Sequence, residues 1–182
     1  DIDEDFAQGV INTYRTSNPK IRQLWKDTDY ALDQILEGKS ADIGKSGVVS
    51  FNPAVNNAGV VLPSGLTIRY PNLRKIVDKE TGNENRVYDS REGQTYIYGA
   101  KAVENIVQGL ARCIIGEQML KIAKRYRVLL TVHDAVCVLV REDDIVGGRA
   151  FVEECMRWTP DWAEGLPLDC ESGVGKNYGD CK

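Results

Sequence analysis

An α+β fold is what this chain of 182 residues predicts, on three observations. Two N-terminal stretches place apolar residues at helical spacing, and the proline-free run over residues 98–125 is long enough for a further helix. Two short β-branched runs then flank Thr131-Val132-His133-Asp134-Ala135-Val136. They read as a hairpin of two buried strands, residues 127–132 and 136–140, with Asp134 at the tip. An aspartate in so tight a turn either satisfies backbone donors or holds a carboxylate rigidly for a cation, and spacing leaves both open.

Taken in order, residues 3–16 carry Phe6, Val10 and Tyr14 on one stripe, and residues 19–37 carry Ile21, Leu24, Trp25 and Leu32 on another. Ser17 and Asn18 before Pro19 give a helix stop and a fresh N-cap. Residues 38–47 form a polar, glycine-containing connection, expected to be the most mobile stretch. Strands around the Pro63-Ser64-Gly65 turn fill residues 60–70, and residues 79–85 form a hairpin tip between strands at 73–77 and 86–88. The helix over 98–125 buries Val103, Ile106, Val107, Leu110 and Ile114. A last helix, residues 143–158, packs beside the 127–140 hairpin despite Gly147-Gly148, which should weaken it by about 1 kcal/mol per glycine relative to alanine.

The polar face of the long helix is the second functional signal. Lys101, Glu104, Asn105, Gln108 and Arg112 follow one another in steps that align them along the axis. A charge run is usually a solvated face, but Asn and Gln between Lys and Arg make a row of donors and acceptors suited to nucleic-acid edges and phosphates.

Tyr98-Gly99-Ala100-Lys101, then Glu104-Asn105 and Gln108, then Val132-His133-Asp134 resemble, in this order, the C-terminal palm segment of family A DNA polymerases, the bacteriophage members most closely. Asn18-Pro19-Lys20-Ile21 with Leu24-Trp25 is similar to the fingers segment after the nucleotide-binding helix. Leu62-Pro63-Ser64-Gly65 is similar to the turn leading back to the palm, and residues 162–168 (WAEGLPL) resemble the approach to the closing strand of phage members. The resemblance covers nearly the whole chain. It implies helices of the fingers over residues 1–46, and over 47–182 the C-terminal palm, an antiparallel sheet whose motif C hairpin packs against a long helix.

The resemblance also implies an activity: template-directed transfer of a nucleotide from a dNTP to a primer 3′ hydroxyl. Two Mg²⁺ ions, roughly 3.5 to 4 Å apart, would serve that step. Asp134 would be one of two metal-binding carboxylates and His133 would lie beside the primer end, so both are catalytic candidates. Lys101, Glu104, Asn105, Gln108 and Arg112 would bind primer-template DNA, Gln108 and Asn105 through the minor groove.

The sequence departs from the family at identifiable places. Ala135 stands where a glutamate usually follows the aspartate, and Leu66 where an arginine commonly follows Leu-Pro-Ser-Gly. The second aspartate, on an earlier palm strand, and the fingers helix bearing Arg, Lys and Tyr have no counterpart before Asp134. One carboxylate does not complete the near-octahedral shell of Mg²⁺. A C-terminal fragment is therefore expected, inactive alone and partnered by the remainder of the polymerase chain.

Composition adds mild constraints. A net charge of −4 argues against a generic nucleic-acid binder, yet residues 101–127 hold six basic side chains against two acidic ones. Five cysteines without CxxC spacing indicate neither a disulfide framework nor a zinc site, and Cys113 and Cys137 read as small core residues. With no apolar stretch near about 18 residues and no signal-like N-terminus, a soluble protein of the cytoplasm, the host's if a phage encodes it, is expected. The alternatives are a metal-dependent nuclease, which would need more acidic or histidine ligands, and a non-catalytic DNA-binding module.

Overall fold

Asp3 opens the first helix, its side chain accepting from the Asp5 amide ahead of α1 (Glu4–Ser17). Asn18 then closes α1 instead of capping the next helix. Its backbone N–H and its side-chain amide each donate to the Tyr14 carbonyl at 3.0 Å, and α2 (Pro19–Leu36) starts without a side-chain cap, on a proline whose missing N–H needs none. The expected apolar stripe of α1 is not buried: Phe6 is 64% exposed, and Val10 and Tyr14 also face solvent. Tyr14 stacks on the Trp25 ring, 6.3 Å away between centroids.

The structure, a computed structural model, describes residues 3–44, 48–54, 58–79 and 82–181. It is α+β, with antiparallel sheets throughout. The chain divides into two compact units, Asp1–Gly109 and Leu110–Lys182. In the first, β1 (Ala41–Ile43), β2 (Val49–Asn52), β3 (Gly59–Val61) and β4 (Thr67–Arg69) pair in chain order, and β5 (Arg74–Val77), β6 (Glu84–Ser90) and β7 (Gly93–Tyr96) form a second sheet. Strand β1 lies inside the connection read as mobile; residues 45–47 of that connection fall outside the described residues. Helix α2 buries Ala31, Leu32 and Ile35, and lies against β1 and β2, which bury Ile43, Val49 and Phe51. Fully burying an aliphatic or aromatic side chain of this kind contributes about 1.5–3 kcal/mol.

The turn at Leu62–Leu66 is as expected: Leu62 N–H donates to the Leu66 carbonyl at 2.8 Å, and Gly65 takes the positive φ (81°) that disfavours other residues there. The hairpin tip between β5 and β6 also falls where the sequence puts it, residues 80–81 lying outside the described residues.

Helix α3 (Gly99–Ile122) runs from the first unit into the second. Its buried line is Ala102, Ile106, Cys113, Ile114, Gln118 and Ile122. Val107, expected in the core, is 57% exposed, because it sits about 100° around the axis from the buried Ile106.

In the second unit, β8 (Arg127–Val132) and β9 (Ala135–Leu139) form a two-stranded sheet, followed by α4 (Ile145–Arg157). The expectation of buried strands fails here: Leu129 and Leu139 are 48% and 56% exposed, and no residue of either strand is fully buried. A two-stranded ribbon leaves both long edges and much of its surface open, and no third strand joins it among the described residues. Nor, among the described residues, does a strand follow residues 162–168, which begin in a short 3₁₀ turn (Asp161–Ala163) and continue irregularly.

Gly148 proves to be a contact and not a defect. A Cβ there would lie 2.5 Å from Val140 Cγ1, so the glycine lets α4 approach the chain leaving β9. None of the five cysteines forms a disulfide; Cys113 and Cys155 are buried and Cys137 is half-buried. No helix is long and apolar enough to cross a membrane among the described residues.

The C-terminal segment is latched to α4 through Glu153. That carboxylate accepts from Ser172 Oγ, from Arg149 Nε at 2.9 Å and from Arg157 Nη1 at 3.2 Å. These donors, the Ser172 hydroxyl foremost, hold its carboxyl at about 2, below the ordinary 4.5. A lowered carboxyl pKa stabilises the fold fully above the ordinary value and loses that contribution as the pH falls toward the folded one. Between pH 4.5 and about 2, wild type should therefore lose stability more steeply than Glu153→Gln in acid titrations of the folded state. Equal slopes would remove Glu153 from the latch.

Candidate functional site

The tip of the β8–β9 hairpin is a two-residue turn. Val132 pairs with Ala135, and His133 and Asp134 lie between them. His133 has φ 54°, and among the described non-glycine residues only Asn72 shares a positive φ. A two-residue hairpin needs such a value to match the strand twist, and histidine tolerates it better than a β-branched residue. One register shift between Val128 and Leu130 leaves Leu129 without a partner, a bulge in the strand leading to the tip.

Both tip side chains are exposed. Asp134 makes no hydrogen bond or ion pair with any described residue, so its carboxylate is not consumed by the backbone donors of its own turn. It is among the residues lining a groove of about 1610 Å³. Ile114 and Gln118 of α3, Val152 and Met156 of α4, and Cys170 and Val174 of the C-terminal segment also line it. Gln118 was not foreseen. It is buried, and its amide donates to the carbonyls of Met156 at 2.6 Å and Trp158 at 3.0 Å, tying α3 to the end of α4. Glu117 beside it accepts from Trp162 Nε1 at 2.8 Å.

Glu142, Glu153, Asp169 and Glu171 line the same groove as Asp134. No group of three or more His, Cys, Asp or Glu able to hold an ion occurs among the described residues. Among the described residues the protein therefore offers Asp134 without a ready cluster of ion ligands around it.

The polar stripe of α3 is part committed and part free. Lys101 Nζ pairs with Glu104 Oε2 at 3.0 Å, which pushes the Lys101 ammonium up. Both side chains are well exposed, so the pair contributes little to stability. Asn105 is half-buried, and its Nδ2 donates to the Tyr70 hydroxyl at 3.2 Å. Gln108 and Arg112 are exposed and have no hydrogen bond or ion pair with any described residue.

The start of that stripe is anchored by residues that sequence reading did not single out. Asp29 Oδ1, on α2, accepts from the Gly99 amide at 2.8 Å and from Arg86 Nη1 at 2.8 Å. It thus caps α3 from another element, satisfying one of the donors every helix start leaves open. Arg86, on β6, also grips both oxygens of Asp33 at 2.9 and 2.6 Å, holding that carboxyl below its usual range. Lys75 adds a contact to Asp33 at 3.2 Å and one to Glu84 at 2.9 Å. Asp29 and Asp33 lie one helical turn apart, and that repeat was the signal available in the sequence.

No protein-family model and no solved structure matches the chain. It spans only 26% of the length of the curated relative it matches. That relative is the DNA polymerase of Bacillus phage SP02, to which this chain is 27% identical over 179 residues, a match covering 93% of the chain.

Proposed function

We propose that this chain is part of a DNA-directed DNA polymerase, of family A and phage type, contributing fingers helices and the C-terminal palm. The observation that carries the reading is Asp134, an exposed carboxylate with no hydrogen bond or ion pair to any described residue, at the two-residue tip of a hairpin. The similarity to a phage DNA polymerase along most of the chain supports it. In this reading Asp134 is one Mg²⁺ ligand, with the other carboxylates and the dNTP-holding helix carried by the remainder of the polymerase chain. His133 lies beside the primer end. Gln108 and Asn105 meet the minor groove of the primer-template duplex, Lys101 and Arg112 its phosphates, and Glu104 steers the Lys101 ammonium through their ion pair. The work is done on DNA in the cytoplasm of the host cell.

The test is nucleotide incorporation by the purified 182-residue chain. With Mg²⁺, dNTPs and a primed template it should incorporate nothing, since the two-ion step needs a second carboxylate. It should bind duplex DNA weakly, with an affinity that falls steeply as salt rises, because contacts such as Lys101 and Arg112 to phosphate act through counterion release. Template-dependent extension that disappears in Asp134→Ala would overturn the assignment of the missing parts to other regions of the polymerase.

A further inference from the structure

Among the residues of the α3 stripe, Asn105 alone is held by a side chain from another element, and that side chain is Tyr70. Tyr70 directly follows β4 and is 1% exposed, among the largest fully buried side chains among the described residues. Its backbone N–H donates to the Ala58 carbonyl at 2.8 Å, and its ring meets the edge of Tyr88 on β6 at 5.2 Å between centroids. One residue is thus fixed to both sheets of the first unit while its hydroxyl receives the Asn105 amide. Burial pushes the Tyr70 phenol up, so the group stays a neutral hydroxyl.

We propose that Tyr70 is a positioning residue for nucleic-acid contact: it orients the Asn105 amide so that its remaining hydrogen and its Oδ1 are set for the base edges of the duplex. The inference rests on the DNA-binding reading of the α3 stripe. An asparagine amide rotates broadly about its last torsion, and a free one would have to be ordered on binding. With one hydrogen on Tyr70, Asn105 keeps one donor, and its Oδ1 has no partner among the described residues. Its neighbours lack such a tether: Lys101 is engaged only with its own helix, and Gln108 has no partner at all among the described residues.

Tyr70→Phe removes the hydroxyl and keeps the ring, so packing against Tyr88 survives. In the full-length protein, primer-template affinity should fall roughly fivefold, the loss a single hydrogen bond brings. Asn105→Ala should match it, and the double variant should bind no more weakly than Asn105→Ala alone. The slope of affinity against salt should stay that of wild type, since no phosphate contact is lost. Gln108→Ala should add its own loss in either background.

Unchanged affinity in Tyr70→Phe beside a weakened Asn105→Ala would overturn the positioning role. So would a Tyr70→Phe loss that persists in the Asn105→Ala background, since the tyrosine would then act by another route. Full affinity in both Asn105→Ala and Gln108→Ala would instead overturn the DNA-binding reading itself, and the positioning role with it.

Discussion

Asp134→Asn in the full-length protein should lower nucleotide incorporation by on the order of a thousandfold while leaving duplex affinity and melting temperature close to wild type. In its proposed role as a Mg²⁺ ligand, Asp134 without its charge would forfeit several kcal/mol of stabilisation in the transition state, and each 1.36 kcal/mol is about a factor of ten. The amide matches the carboxylate in shape, and Asp134 makes no hydrogen bond or ion pair with any described residue, so the fold loses no such contact when the charge goes. Single-turnover incorporation with saturating primer-template isolates the effect from binding. A loss below about tenfold, with the protein folded, would take Asp134 out of the chemistry.

The second large effect is structural. A Cβ at Gly99 would lie 1.9 Å from the Trp25 carbonyl oxygen and 2.8 Å from Asp29 Oδ2. The first obstacle is helix backbone, so α3 would have to withdraw from α2 and the Asp29 cap would stretch. Overpacking of this kind costs about 1–3 kcal/mol and a lost cap about 1 kcal/mol more. Gly99→Ala should therefore destabilise the protein by about 3 kcal/mol, a fall in melting temperature of roughly 10 °C for a chain of this size. Gly116 lies in the same helix with nothing within 4 Å of its absent Cβ. Gly116→Ala should raise stability by about 0.5–1 kcal/mol, the ordinary helix preference for alanine. Calorimetric melting of the pair decides the matter: if both variants move in the same direction, the close approach at Gly99 is not what holds α3 to α2.

What the sequence shows well is what local periodicity encodes. The helices α1, α2 and α3 begin and end within a few residues of their expected bounds, and the turn at His133–Asp134 follows from two β-branched runs with no room between them. The short strands β1, β2 and β7 escaped because three or four residues carry too little alternation to stand out from loop. Burial was read less well than type. Phe6 and Val10 have the spacing of a packed face, as do the strands of the hairpin, yet spacing says which residues share a face and not whether anything covers it. At the candidate site, Asp134 and the α3 stripe were visible as residue types in a pattern. Tyr70 and Gln118 were not, because each acts on a partner at least 35 positions away, and no local pattern records that; for Asp29 the repeat with Asp33 marks a shared helix face but not the Gly99 amide it caps.

The cap that Asp29 places on Gly99 spans 70 positions of chain. A helix start is ordinarily nucleated by residues beside it, at an entropic cost met locally. Here one open donor of the first turn of α3 is satisfied by a carboxylate of α2 that Arg86 of β6 also grips. The beginning of α3 is thereby a tertiary contact as much as a helical one, and loosening α2 would fray it.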